Sequence, residues 1–232
     1  MNSSSPSEIR RRVRSFVRRP GRLTPAQQTA LTELLPHYQI AADCTDLRDA
    51  FDRRAPLIVE IGFGNGDTLA AMAAAEPDAD FVGIEVHEPG VGRLLRRVHE
   101  QGLTNVRVAM RDAVEVLAEQ TRPGSIRELR IYFPDPWPKK RHHKRRLVQR
   151  DFLQRAAERL EPGGLLHLAT DWQPYADWMV EEIQAVAALE LLGDPWVSRP
   201  TWRPQTRFEA RGEQRGHVIR DLLARRCGSS DS

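Results

Sequence analysis

The sequence predicts an α/β fold built on a doubly wound, mainly parallel sheet. Three observations carry this prediction. From Leu57 onward, short apolar runs alternate with helical patterns. The first apolar run turns into its helix through closely spaced glycines. Carboxylates recur just past the ends of the apolar runs, the edge where such sheets bind ligands.

The elements follow in order. Thr24-Pro25 reads as an N-cap followed by proline in the first turn, opening a helix to about Leu35 that stops at Pro36. Leu57 to Gly62 is a buried strand, and Thr68 to Ala75 a helix ended by Pro77. Phe81 to Val86 is the second strand. Val91 to Gln101 places Leu94, Leu95 and Val98 at helical spacing. Val106 to Met110 and Leu129 to Phe133 are the third and fourth strands. Leu147 to Leu160 is a helix stopped by Pro162-Gly163-Gly164, and Leu165 to Ala169 is the fifth strand. There is no internal repeat.

With 232 residues and 40% hydrophobic content the chain suffices for one substantial domain, expected over 25–228. A basic, partly disordered arm (1–24) precedes it and a polar tail (229–232) follows. The net charge is only +3, but two runs, Glu8 to Arg22 and Lys139 to Arg146, each carry an excess of six positive charges, so the remainder is net acidic. Two concentrated patches on an acidic body argue for a polyanionic partner. The N-terminal run reads equally well as an RNA clamp or as a solvated or targeting tail. Cys44 and Cys227 are far apart and form no C-x-x-C pair, which fits a reducing compartment and argues against a zinc site. No apolar run reaches the ~20 residues that span a bilayer, and no secretory signal is present.

Glu60-Ile61-Gly62-Phe63-Gly64-Asn65-Gly66 sits where the first strand turns into its helix. The spacing is G-x-G-x-G, and Asp67 stands where a dinucleotide fingerprint needs its third glycine. Acidic residues beside such a loop repel pyrophosphate and favour S-adenosyl-L-methionine, which has no phosphate and is cationic. Glu85 ends the second strand, nineteen residues past Gly66, where a carboxylate can accept from ribose hydroxyls. Asp112, after the third strand, suits an adenine amino group, or caps a helix. The fourth strand runs into Phe133-Pro134-Asp135-Pro136-Trp137-Pro138. Its prolines restrict the backbone around Asp135 and Trp137. Asp135 would face the reacting atoms, and the Trp137 ring would wall a planar base. Thr170-Asp171-Trp172 places another carboxylate at the same edge. Thr206-Arg207-Phe208-Glu209 reads only as a loop with a charge pair and an aromatic.

Together these motifs resemble one family, the bacterial tRNA (guanine-N7-)-methyltransferases, over most of the chain. The resemblance rests on R-S-F-V-R-R-P-G-R-L-T (Arg14 to Thr24), V-E-I-G-F-G-N-G, G-I-E-V-H, F-P-D-P-W-P-K-K-R-H-H-K-R-R, T-D-W and T-R-F-E, in that order. It implies a seven-stranded class I methyltransferase sheet and S-adenosyl-L-methionine held by Glu60, the glycines 62, 64 and 66, Glu85, Asp112 and Asp135. It implies tRNA contacts from Lys139, Asp171, Thr206, Arg207, Phe208 and Glu209, and from the run Arg141, His142, His143, Lys144, Arg145 and Arg146. The implied product is N7-methylguanosine at position 46, in the variable loop, made in the cytoplasm without a metal, a membrane or an obligatory protein partner.

Guanine N7 has a free lone pair, so no proton need be removed before it attacks a methyl group. Asp135 is therefore expected to align and to favour the developing cation, not to act as a general base. Three rivals are weaker. Amino-methyltransferases place two prolines before the aromatic of the corresponding turn, and this chain has one. A non-catalytic RNA-binding subunit has no need of the intact loop and acidic positions. The glycine spacing disfavours an NAD oxidoreductase.

Overall fold

The structure is a computed structural model that describes residues 22–228. The expectations for the rest of the basic arm and for the 229–232 tail lie outside the described residues. In chain order the helices are α1 (Pro25–Glu33), α2 (Leu35–Tyr38), α3 (Asp67–Ala75), α4 (Glu88–Glu100), α5 (Ala113–Glu119), α6 (Arg150–Arg159), α7 (Gln173–Gln184) and α8 (Arg207–Glu213). The strands are β1 (Leu57–Ile61), β2 (Asp80–Ile84), β3 (Val106–Ala109), β4 (Ile126–Tyr132), β5 (Leu160–Thr170), β6 (Leu189–Val197) and β7 (Arg220–Arg226).

The strands form one seven-stranded sheet in the order β3-β2-β1-β4-β5-β7-β6. The pairings from β3 to β5 are parallel; β7 runs antiparallel to both β5 and β6. The strand order reverses between β1 and β4, which opens a crevice at their carboxyl ends. Strand period sorts β1 into two cores. Leu57, Val59 and Ile61 pack with Val116, Phe152, Leu153, Tyr175 and Met179 on one face. Ile58 packs with Leu69, Leu94, Leu95 and Ala30 on the other.

Several boundaries differ from the sequence reading. Pro36 does not end the helical region. The chain breaks at Leu34, and Pro36 enters the first turn of α2, where its missing N–H costs nothing. Helix α6 starts at Arg150, because Lys140–Arg145 forms a separate 3₁₀ turn. Strand β5 begins at Leu160, paired with Ile126, and loops out 161–164 before pairing resumes at Leu165 opposite Glu128. Thr24 caps α1 as expected, in a reciprocal capping box with Gln27.

Candidate active site

The carboxyl ends of β1 and β4 separate two clefts that share Gly62, Tyr132 and Phe133 and so form one groove. One side is lined by Glu85, Val86, Arg111, Ala113 and Asp135. The other is lined by Glu60, Gly64, Gly66, Thr206 and Phe208.

The glycine loop has the shape its sequence requires. Gly62, Gly64 and Gly66 all have positive φ. Gly66 is also the N-cap of α3, and a Cβ there would stand 2.6 Å from Leu94. Asp67 is turned to Arg97 of α4 at 2.6 Å. Its charge is thus compensated, and Glu60 is the acid that the loop leaves uncompensated at the groove. Glu60 is 3% exposed, and its Oε2 has no hydrogen-bond partner among the described residues. Burial pushes its carboxyl up to about 7, Arg130 opposes the rise, and Glu85 and Glu128 add to it. A buried carboxylate with an unfilled oxygen fits a cationic ligand. The glycine loop is open beside it: a Cβ at Gly62 or Gly64 would meet nothing within 4 Å.

Glu85 is half-buried and ties β2 to the loop. Its Oε2 accepts from Gly64 N at 3.1 Å, and its Oε1 accepts from Val86 N and His87 N. Asp112 takes the capping role: its Oδ1 accepts from Val114 N at 2.9 Å. Its side chain lines a basic pocket with Lys144, Arg145 and Arg146, while the adjacent Ala113 lines the groove.

Past β4 the backbone is strained. Phe133 and Trp137, both immediately before prolines, adopt left-handed φ values of 52° and 44°. Each such residue costs roughly 1–3 kcal/mol and persists only where its surroundings over-determine it. The loop presents Asp135 as an exposed carboxylate at the edge of the groove, with no hydrogen bond to another described residue. Trp137 corrects the expectation placed on it. It lines neither cleft; Arg145 lies over its ring at 5.0 Å and His142 meets it edge-on at 5.8 Å.

The basic run divides. Lys139, Lys140, Arg141 and Lys144 are exposed, and His142, His143 and Arg145 are half-buried. The His143 ring meets Trp178 at 5.8 Å. Arg146 turns inward and is 3% exposed. Its Nε donates to Pro136 O at 2.9 Å, and its guanidinium lies over the rings of Tyr175 and Trp178. This arginine pins the proline turn instead of joining the exposed face.

Asp171 is paired with His217 Nδ1 at 2.9 Å. Thr206-Arg207-Phe208-Glu209 is not a loop. It is a capping box that starts α8: Thr206 Oγ1 accepts from Glu209 N at 2.9 Å, and Glu209 accepts from Thr206 N. The T-x-x-E spacing was the available signal for it. Phe208 is 56% exposed and packs against Phe133, with ring centroids 5.2 Å apart. Glu209 is 1% exposed and bound to Arg203, so it faces the protein interior. Sequence reasoning missed Tyr132 as a wall of the groove, and it missed Arg203 and Asp221 behind it. Among the described residues no cluster of His, Cys, Asp and Glu could hold a metal ion. Among them, too, no helix is long and apolar enough to cross a membrane.

The fold is shared with solved methyltransferases. The antibiotic-resistance methyltransferase Kmr superposes with a TM-score of 0.54 at 19% identity, over 76% of this chain and 89% of that one. An S-adenosylmethionine-dependent O-methyltransferase of Thermotoga maritima gives 0.51 at 15% identity, over 78% and 62%. The family model described as "Putative methyltransferase" matches residues 54–222, which covers every strand except the end of β7. Fold and site thus define a methyltransferase.

Curated relatives make the assignment particular. A tRNA (guanine-N(7)-)-methyltransferase of Alkalilimnicola ehrlichii is 52% identical over 94% of this chain and 94% of its own. Those of Alcanivorax borkumensis and Halorhodospira halophila are 49% and 50% identical, over 93% of this chain and 92% and 95% of their own. The chain belongs to the bacterial tRNA (guanine-N7-)-methyltransferase family.

Proposed function

We propose that this enzyme transfers the methyl group of S-adenosyl-L-methionine to N7 of guanine 46, in the variable loop of tRNA. The observation that carries the reading is the juxtaposition at the crevice. A buried, unfilled Glu60 carboxylate and the open glycine loop fit a cationic nucleoside, and the exposed cations of Lys139–Lys144 lie beyond the same loop that presents Asp135. The relatives' names support the same reaction.

S-adenosyl-L-methionine supplies an electrophilic methyl on a sulfonium. Glu60 would hold its positive charge. Glu85 would share its carboxylate between the loop amides and the ribose hydroxyls, and Asp112, as the cap of α5, would set Ala113 against the adenine side of the groove. Asp135 would orient the incoming guanine and favour the charge that develops on its ring. N7 already presents a lone pair, so no residue need remove a proton, and catalysis rests on alignment. Phe208 and Phe133 would wall the base once it leaves its stack. Thr206, Arg207 and Asp171 would contact the nucleotide, and Lys139, Lys140, Arg141 and Lys144 would contact phosphates. The reaction is placed in the cytoplasm, with no protein partner required. Methyl transfer to unmodified tRNA followed by nucleoside analysis tests the whole reading; a product other than N7-methylguanosine overturns it.

A further inference from the structure

Behind the groove lies a chain of buried polar groups that no step above uses. Arg203 is 1% exposed, and its N–H groups are taken by two carboxylates. Its Nε and Nη2 donate to Asp221 of β7 at 2.7 and 2.9 Å. Its Nη1 and Nη2 donate to Glu209 of α8 at 2.7 and 2.8 Å. Its guanidinium carbon lies 5.4 Å from the ring centroid of Tyr132 and 6.0 Å from that of Phe133. The chain continues through Asp221 Oδ1 to His167 Nε2 at 2.7 Å, and from His167 Nδ1 to the Tyr132 hydroxyl at 3.1 Å. A neutral imidazole satisfies every member: Nε2–H donates to the carboxylate and Nδ1 accepts from the phenol. Burial holds that phenol protonated by pushing its pKa well above the usual value.

The two ends of this chain lie behind two adjoining parts of the groove wall, which meet where Phe133 packs on Phe208. Tyr132 and Phe133 close β4 and lead into the strained turn that carries Asp135. Glu209 locks the capping box that places Thr206 and Phe208 beside them, with Phe208 packed on Phe133. Neither Arg203 nor Asp221 lines the groove itself. A planar fork with fixed donor directions can hold two carboxylates in one relative geometry, which a lysine cannot do.

We propose that Arg203 is a positioning residue for the substrate base: it sets how the Thr206–Phe208 edge docks on the Tyr132–Phe133 edge, and so shapes the aromatic wall of the groove that must receive the guanine. This deepens the methyltransferase reading and rests on it. The effect should fall on tRNA turnover and not on the cofactor, since the glycine loop and Glu85 are tied to each other and to the start of α4, away from Arg203.

The test compares full-length wild type, Arg203→Lys and Asp221→Asn. It measures S-adenosyl-L-methionine Kd, kcat and KM for an unmodified tRNA transcript, and the melting temperature. Wild type must first form N7-methylguanosine; if it does not, the functional reading fails, independently of this inference. Given an active wild type, Arg203→Lys is expected to keep cofactor Kd within about twofold and to lose about tenfold or more in kcat/KM for tRNA. The loss should persist at temperatures far below its melting transition, where a merely destabilised variant recovers. Asp221→Asn keeps the side-chain shape and should show the same split in smaller measure; it decides the matter if the lysine variant does not fold. A folded variant with tRNA kcat/KM within about twofold of wild type, or with cofactor affinity reduced by the same factor as kcat/KM, overturns the assignment.

Discussion

Two segments that meet where Phe133 packs on Phe208 line the groove and are held by different means. The turn from Phe133 to Pro138 is stiffened by its own prolines and pinned from outside only at Pro136 O, by Arg146. Prolines follow both left-handed residues, and Asp135 is presented without a single hydrogen bond to another described residue. The segment from Arg203 to Glu209 has little local restraint beyond one capping box. It is held from behind by a buried guanidinium bound to residues six and eighteen positions away. The first can present an exposed charge because its prolines, with Arg146 on Pro136 O, hold the backbone while Asp135 itself bonds to no other described residue. The second can present an exposed aromatic because its buried charges are consumed inside. A reactive site can therefore combine a locally stiff wall with a wall anchored through tertiary contacts, and the two should fail differently when perturbed.

The sharpest break is at Asp135. Asp135→Ala should lower methyl transfer by on the order of 10²–10³-fold with melting temperature little changed, as single-turnover rates and calorimetry would show. Asp135→Asn keeps the shape and should lose nearly as much if charge is what matters. A variant with near wild-type turnover would remove Asp135 from the reaction.

Relaxing the local wall is the next largest effect. Pro134→Ala with Pro138→Ala restores freedom to the backbone on either side of Asp135. We expect kcat to fall about 10- to 100-fold, with no loss of melting temperature. If stability falls and turnover does not, the turn is structural only.

Glu60 separates the cofactor side from both walls. A buried carboxyl raised to about 7 is protonated in the folded protein at pH 6 and ionised at pH 8. A cationic ligand favours the ionised form. Affinity for S-adenosyl-L-methionine should therefore weaken as pH falls from 8 to 6, by up to about tenfold per unit below the pKa, and Glu60→Gln should flatten the profile. The folding sign is the reverse. The contribution is favourable below the unfolded value near 4.5 and is lost as pH rises to about 7, so Glu60→Gln should gain stability relative to wild type at pH 8. A pH-independent wild-type Kd would refute the assignment.

The smallest change tests the exposed cations. Replacing Lys139, Lys140, Arg141 and Lys144 with alanine should raise the tRNA KM several-fold. It should also flatten the salt dependence of tRNA affinity, by about 0.7–0.9 in log–log slope for each phosphate no longer neutralised. Cofactor affinity should be unaffected. Arg146 is left intact, because its buried guanidinium holds Pro136 and its removal would confound binding with misfolding.

The sequence alone determined the five parallel strands, the glycine loop and the order of the motifs along their carboxyl edge, but not β6 and β7. Those features are local: apolar periodicity, glycine and proline write their geometry into a few adjacent residues. It also placed Asp135 in a stiff turn and Glu85 at a strand end, where the structure has them. Only the tertiary structure decided which charges face outward. Six cations in one run looked equivalent, yet Arg146 turns in to stack on Tyr175 and Trp178, which arrive from α7. Trp137 looked available for a base and is covered by Arg145 and His142. Glu209 read as half of a loop charge pair and is bound to Arg203, whose other partner comes from β7. Burial of a charge depends on a counter-charge delivered by a distant part of the chain, because desolvation is tolerated only where the pairing geometry is complete. That information resides in the packing, not in the residues on either side.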